Sequence, residues 1–313
     1  MSRLEQLVAT PGARIVTAEM PLFDSGGFDA VQDHLDRLTP WVDAINATDN
    51  AAAHAHASNV AMAVAMARLG AEPIMQVVCR DKNRLALQSD IVGASMFGVE
   101  NICCLTGDDV TAGDEPEARR VFDLDGPQLI SLAHTIGSGS YLSGRKIEPP
   151  PDFFVGAVEN PGAPPFEVRR RRAEKKADAG AGFLQLQLCY RPELLERFVA
   201  GVHERGVTSR CALLPSICMV GSAGALRFID EKVPGVAIPA EVIAGVERSA
   251  DADAACFELA CEQARHALSL PAVAGIHLIS FRKDAAIERL CQELGIPPRT
   301  EREQHGHRPP VAV

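Results

Sequence analysis

Several apolar runs of the chain end in residues that can do chemistry, and their types limit what that chemistry can be. In order they are Glu19, Thr48-Asp49-Asn50, Cys79-Arg80-Asp81-Lys82-Asn83, Thr106-Gly107-Asp108-Asp109, Glu159-Asn160, Gln187, Ser216, and His277 through Ser280. A polar group at the end of an apolar strand is costly unless it is satisfied or used. One carboxylate (Glu19), one Gly-Asp turn (Gly107-Asp108), one amide (Gln187) and several cations suit proton donation and cation stabilisation around a bound cofactor better than covalent catalysis. No G-x-G-x-x-G follows the first strand, which disfavours a Rossmann dinucleotide site. The chain also lacks a P-loop, a G-x-S-x-G and a histidine cluster at metal-ligand spacing, so no metal is expected.

Each of these positions also has a plain structural reading. A surface carboxylate at Glu19, before Met-Pro, would be unremarkable. Leu-Thr-Gly-Asp-Asp at 105–109 reads equally as a turn with an Asp N-cap. Gln187 can simply bond its neighbours, and Arg80-Asp81-Lys82 reads by default as a solvated charge run. The arginines at 169–172 read as a solvated helix face from which one side chain could reach a phosphate. Adjacent Cys103 and Cys104 point to opposite faces of a strand, so they read as core residues and not as a redox pair. His54 and His56 lack the Cys or carboxylate partners that zinc needs.

Bringing such scattered residues together requires a repeating scaffold. Strand-like runs occupy residues 14–19, 41–47, 73–78, 100–105, 152–157, 182–187, 210–215 and 273–280. Most are short and apolar on both faces, as parallel strands covered on each side must be. Helix-like stretches separate them, at 29–38, 55–69, 83–97, 127–136, 166–179, 192–204, 223–231, 252–268 and 284–294. In the second, Val60, Ala61, Val64, Ala65 and Leu69 form one stripe, and Gly70, Gly98, Gly180 and Gly206 stand where left-handed C-caps belong. Strand–helix alternation means a parallel sheet. This many units in one chain of 313 residues favours a closed (β/α)8 TIM barrel over an open doubly wound sheet. Three segments stand outside the alternation. Residues 137–151 are a Gly/Ser then Pro loop, 233–246 an inserted turn and helix, and 297–313 a Pro-rich charged tail expected to be flexible. The expected organisation is a catalytic barrel over 1–296, then the tail. In a barrel the polar strand ends converge on one rim, where catalytic groups belong.

Composition sets outer bounds. With 47% hydrophobic residues the chain is an ordinary globular one, not a disordered one. A formal net charge of −10 argues against a nucleic-acid surface but leaves room for an anionic small molecule held by a few placed cations. No run of 18 apolar residues occurs and the first residues lack a signal-peptide core, so a cytoplasmic location off the membrane is expected. The 9 cysteines, none in a C-x-x-C, read as reduced and mostly buried thiols.

Five local patterns together resemble the methylenetetrahydrofolate reductase family across residues 14–295: VTAEMP around Glu19, NATDN at 46–50, QVVCRDKNRLALQSDIVGA at 76–94, LTGDD at 105–109 and KKADAGAGFLQLQ at 175–187. The resemblance implies a flavin-dependent oxidoreductase of one-carbon metabolism and methionine biosynthesis. Such an enzyme reduces 5,10-methylenetetrahydrofolate to 5-methyltetrahydrofolate with NAD(P)H, or runs the reverse oxidation, and is a homo-oligomer. It implies that Glu19 is the general acid that opens the folate's five-membered ring to an iminium. Asp108 would stabilise that cation and bind the pterin amino donors, and Gln187 would contact pterin or nicotinamide. It places Thr48, Gln76, Leu105, Thr106, Gly107, Asp108, Val158 and Lys176 around the flavin, FAD or FMN. In that reading Gly107 admits the isoalloxazine, and Lys176, joined on position by Arg80, offsets the phosphate charge. Folate and nicotinamide would take turns on one flavin face, giving ping-pong kinetics.

The chain departs from the family pattern at several of these positions. Gln76 stands where many members have His, Thr106 where many have Arg, and Val158 in the region of a flavin-side Tyr; the first two also occur in a subgroup with CRD-x-N and LTGD signatures. The family's Pro-Gly-Ile-x-Pro reads Pro215-Ser216-Ile217-Cys218-Met219, and Gln187 is followed by Leu-Cys-Tyr. The electron donor therefore stays open between NADH, NADPH and a partner protein. Relatives that pass hydride directly from nicotinamide without flavin, and a folate- or flavin-binding subunit that needs a partner for electrons, remain the alternatives.

Overall fold

The computed structural model describes residues 1–280 and 283–304. Among the described residues eight parallel strands, each hydrogen-bonded to the next and the last to the first, close a barrel in chain order: β1 (Ile15–Glu19), β2 (Ala44–Ala47), β3 (Pro73–Val78), β4 (Asn101–Leu105), β5 (Phe154–Glu159), β6 (Phe183–Leu186), β7 (Ala212–Met219) and β8 (Gly275–Ser280). This is the (β/α)8 TIM barrel that the alternation predicts.

Twelve α-helices among the described residues accompany the strands: α1 (Arg3–Ala9), α2 (Gly27–Leu38), α3 (Asn59–Arg68), α4 (Arg84–Ser95), α5 (Gly126–Gly137), α6 (Phe166–Asp178), α7 (Pro192–Glu204), α8 (Ala223–Lys232), α9 (Ala240–Arg248), α10 (Ala252–Ser269), α11 (Ala285–Glu293) and α12 (Arg299–Gln304). Local chemistry starts several of them. Asn83 caps α4 by accepting from the backbone of Leu85 and Ala86, and Asp125 and Gln128 form a capping box ahead of α5. The apolar stripe of α2, with Val31, Leu35 and Leu38 buried, is what fastens it to the sheet.

Three local readings are corrected. The fifth strand starts two residues later than expected and runs to Glu159, so Val158 and Glu159 belong to the strand and not to the loop after it. The seventh continues past Pro215 to Met219. β6 stops at Leu186, opposite Pro215, and beyond that point β7 pairs with β8 alone. A proline with no N–H to give sits well where its neighbour strand ends. Part of the expected flexible tail is ordered: 299–304 form α12, where Arg302 donates to Asp43 at 2.8 Å and to the Trp41 carbonyl at 2.8 Å. Of the rest of that segment, 305–313 lie outside the described residues.

The barrel interior is layered. Its floor is apolar, made of Ile15, Ala44, Ile74, Phe154, Phe183 and Leu214, and α1 plugs it from below with Leu4 and Leu7. Gly156 makes the floor possible, since a Cβ there would come within 2.2 Å of the Phe183 ring. Strand side chains alternate between core and helix layer, so the residues two and four along from the floor also point inward. That rule sends Thr17 and Glu19, Asn46 and Thr48, Gln76, Leu105, Val158, Gln185 and His277 to the inside, the later members nearest the C-terminal rim.

Candidate active site at the C-terminal rim

Glu19 ends β1 with its side chain 27% exposed, reaching into the mouth from an otherwise buried strand. Its Oε1 accepts from Gln76 Nε2 at 3.4 Å and stands 3.7 Å from His277 Nε2. Strands β1, β3 and β8 thus bring a carboxyl, an amide and an imidazole together on one side of the rim. Thr48, one residue beyond β2, is buried, and its Oγ1 has no partner among the described residues. An unsatisfied buried hydroxyl at the rim is a site for a ligand's polar atom.

The turn after β4 carries Thr106, Gly107 and Asp108. Burial pushes the Asp108 carboxyl above its ordinary value, with the Arg80 guanidinium pulling the other way. Gly107 has φ +91°, and a Cβ there would lie 2.6 Å from Val78 Cγ1 and 3.0 Å from Arg80 Cβ. Its lack of a side chain therefore serves the packing of Arg80 under the turn. The arginine itself is 2% exposed, with Nε and Nη2 on the Asp81 carboxylate at 2.7 Å each, Nη2 on the Asn50 carbonyl at 3.0 Å and Nη1 on the Asp108 carbonyl at 3.4 Å. Next to it, Lys82 Nζ joins Asp49, Asp90 and Asn59. Arg80-Asp81-Lys82 is therefore an internal brace for the β2, β3 and β4 ends, and its reading as a solvated charge run is corrected. Backbone strain gathers at the same place, where Asn50, Ala52 and Ala53 all have positive φ.

Lys176 projects from α6 under the rim, only 4% exposed. Its Nζ donates to Glu159 Oε2 at 2.7 Å and to the Val158 carbonyl at 2.5 Å. Burial holds the ammonium below its ordinary value although Glu159 pulls it up. Arg169 and Arg172, on the same helix, approach Glu159 at 3.6 and 3.8 Å. Thr106 stands near this pair, since a Cβ built on Gly126 would touch both Thr106 Oγ1 and Lys176 Cε.

These partners decide how far the site fits a resident flavin. Thr48 offers a hydroxyl, and the mouth offers inward Leu105 and Val158. The two cations expected to offset a flavin phosphate are already neutralised, Arg80 by Asp81 and Lys176 by Glu159, and both are buried. A phosphate would have to displace an internal carboxylate from either one. Both cations are committed to carboxylates, which weighs against a phosphate at either of them.

Gln187 lies just beyond β6. Its backbone N–H donates to the Glu159 carbonyl at 2.8 Å, which ties the end of β6 to the end of β5. Its side-chain Oε1 accepts from the Leu188 N–H at 2.9 Å. The residue lines a mostly apolar cavity of about 290 Å³, between α7 and α10, that Cys189, Tyr190, Ser216 and His266 also line. Three side-chain groupings result: Glu19 with Gln76 and His277, Asp108 with Arg80, and Lys176 with Glu159, Val158 and Thr106. The Gln187 side chain joins none of them.

Sequence reasoning named Glu159 and His277 only as strand-end residues, without their partners, and it missed Thr17, Asn46 and Gln185 altogether. Strand alternation was the signal that could have found these three, since each stands two residues below a rim position: Glu19, Thr48 and Gln187. The register then sets His277 beside Thr17.

The methylenetetrahydrofolate reductase family model matches residues 21–295. The chain belongs to the methylenetetrahydrofolate reductase family. A probable methylenetetrahydrofolate reductase (NADPH) of Caenorhabditis elegans is 24% identical over 236 residues, 72% of this chain and 33% of that protein. The chain thus spans about a third of the length of the curated relative it matches. Among solved structures, an uncharacterized protein from Clostridium thermocellum that binds two copies of 5-methyl-5,6,7,8-tetrahydrofolic acid has a TM-score of 0.66 at 14% identity, covering 94% of this chain and 99% of that one. DmoA from Hyphomicrobium sulfonivorans has a TM-score of 0.53 at 8% identity, covering 95% and 89%. At those identities the structures speak for the barrel alone. Among the described residues no helix is long and apolar enough to cross a membrane.

Proposed function

We propose that this chain reduces the methylene carbon of 5,10-methylenetetrahydrofolate to a methyl group at the C-terminal rim of its barrel, as its family membership supports. The observation that carries the reading is Glu19, a partly buried carboxyl at the end of β1 held by Gln76 and facing the mouth. Family membership makes a folate the ligand class, and a barrel of the same architecture from Clostridium thermocellum does bind methylfolate. Glu19 donates a proton to a ring nitrogen of the substrate, and the C–N bond of the five-membered ring breaks to leave an iminium. Asp108 stabilises that cation and accepts from the pterin amino group. A hydride from NAD(P)H then completes the methyl group, so the reaction consumes one hydride and one proton. Thr48 Oγ1 supplies a further hydrogen bond to the bound ring system.

A resident flavin has to be held through every turnover, whereas a co-substrate nucleotide binds only at micromolar to millimolar KM. The commitment of Arg80 and Lys176 to Asp81 and Glu159 therefore weighs more against a flavin than against NAD(P)H, and the route proposed is hydride transfer from nicotinamide to folate with no flavin between them. Both substrates then occupy the rim together. The purified chain is expected to be colourless and to form methyltetrahydrofolate anaerobically from methylenetetrahydrofolate and NADH or NADPH, with intersecting double-reciprocal plots. A yellow protein with parallel plots would overturn the direct route. No product with either nucleotide would overturn the reductase reading itself.

A further inference from the structure

Below Glu19 the barrel is filled with polar side chains that none of the steps above uses. Thr17, Asn46, Gln185 and His277 point inward from β1, β2, β6 and β8, and all four are buried. Barrel interiors are usually packed with branched apolar residues, so a polar layer has to satisfy itself or serve a purpose. Here it does the first through a closed set of bonds. Asn46 Nδ2 donates to Gln185 Oε1 at 2.9 Å, and Gln185 Nε2 donates to Asn46 Oδ1 at 3.0 Å. Each amide also turns toward the imidazole, Gln185 Nε2 to His277 Nδ1 at 3.3 Å and Asn46 Nδ2 to His277 Nε2 at 3.5 Å. Thr17 Oγ1 meets Nδ1 at 2.8 Å.

The shorter contacts decide the tautomer of a neutral ring. Nδ1 faces an amide N–H, which can only donate, and a close hydroxyl, which can do so as well. The amide nitrogen facing Nε2 stands at 3.5 Å, the outer limit of a hydrogen bond. Nδ1 is therefore the acceptor and Nε2 carries the hydrogen. From Nε2 the carboxylate oxygen in reach is Glu19 Oε1 at 3.7 Å, the same oxygen that accepts from Gln76. The nearby thiols do not compete for that role. Burial raises Cys103, which donates to Gln185 Oε1 at 3.8 Å, and burial with Glu19 pushes Cys218 up to about 12, so both stay neutral.

We propose that His277 is a positioning residue for the acid: its Nε2–H, with the Gln76 amide, holds Oε1 of Glu19 inward and stabilises the carboxylate left when Glu19 gives its proton to the substrate. The proposal rests on the reductase reading for its kinetic arm. The O–H bond of Glu19 breaks, an N–H bond forms on the substrate, and the new negative charge meets the Gln76 N–H at 3.4 Å and the positive end of the His277 Nε2–H dipole at 3.7 Å. Only charge that develops in the transition state benefits, so the effect falls on kcat and not on KM.

The test has two arms. In the kinetic arm, His277→Met is expected to lower kcat for methylenefolate reduction ~10-fold or more with KM nearly unchanged, and His277→Gln, which keeps an N–H, to recover most of it. In the Glu19→Gln background, His277→Met is expected to cost nothing further, whereas a loss of packing would cost the same factor in both backgrounds. In the spectroscopic arm, ¹⁵N spectra of the histidine-labelled protein, assigned by the signal that His277→Gln removes, should show hydrogen on Nε2 and a shift of that signal in Glu19→Gln. Hydrogen on Nδ1, or equal costs of His277→Met in the two backgrounds, would overturn the proposal. A wild-type chain that makes no methylfolate but shows the Nε2–H and its response to Glu19→Gln would remove the reductase reading while leaving the His277–Glu19 contact standing.

Discussion

Glu19 and Asp108 are two carboxyls with different surroundings, and each makes its own prediction. Glu19→Gln keeps the shape and the Gln76 contact but has no proton to give. It should lower methylenefolate reduction by ~10²–10⁴-fold in a steady-state assay, the range that a general acid supplies. Asp108 speaks to stability. Burial raises its carboxyl above the ordinary value of 3.8. As pH rises from that value through the raised one, the unfolded chain releases the proton while the folded one retains it, so stability falls across that window. Asp108→Asn should therefore raise Tm at neutral pH, and the gain should vanish below about pH 3.8. Equal melting temperatures at pH 7 would contradict the burial of this charge. Residue types at strand ends made Glu19, Thr48 and Asp108 legible in the sequence, and the family resemblance added Gln76. The partners of Arg80 and Lys176 were not legible, because Asp81 and Glu159 could each have faced solvent, and only the packed turn and helix decide otherwise.

Elements explain why those partners are where they are. β5 runs two residues further than its apolar run indicates, which carries Glu159 into the sheet and under α6. There Lys176 on the buried face of α6 meets it, with Arg172 and Arg169 one and two turns earlier on the same side. Removing one partner of a buried pair strands the other, so Glu159→Gln should destabilise the protein by about 3–5 kcal/mol in urea unfolding. Pairing it with Lys176→Met should restore most of that loss, since the stranded charge is gone. A Glu159→Gln change that leaves the unfolding midpoint unmoved would mean the pair is not buried. Strand boundaries were the least legible feature for a physical reason. How far a parallel strand runs depends on its neighbours, and β7 continues past Pro215 because β8 continues beside it.

Closure of the whole sheet was legible from the count of alternating units, and the mouth followed from it, because every β-to-α turn of such a barrel opens on one rim. The two chain ends were not. Residues 3–9 are too short a run to stand out as a helix by period, yet they cap the floor, and α12 is charged enough to read as a tail. Its Arg302 reaches Asp43, which Arg3 also holds, so the two ends of the described chain meet at one carboxylate just before β2. Arg302→Ala should lower the urea midpoint with no change in folate kinetics, since the contact lies at the N-terminal ends of the strands, away from the rim.

The proposed reaction comes down to one event, in which a single rim would give the substrate a proton from Glu19 and a hydride straight from nicotinamide. The decisive measurement is anaerobic turnover with nicotinamide nucleotide deuterated at the transferred position, followed by mass spectrometry of the folate product. Direct transfer requires methyltetrahydrofolate carrying the deuterium in its new methyl group at nearly full retention, and almost none from Glu19→Gln. A product methyl group in which the label has been washed out by solvent, or no methyl product from the wild-type chain, would refute it.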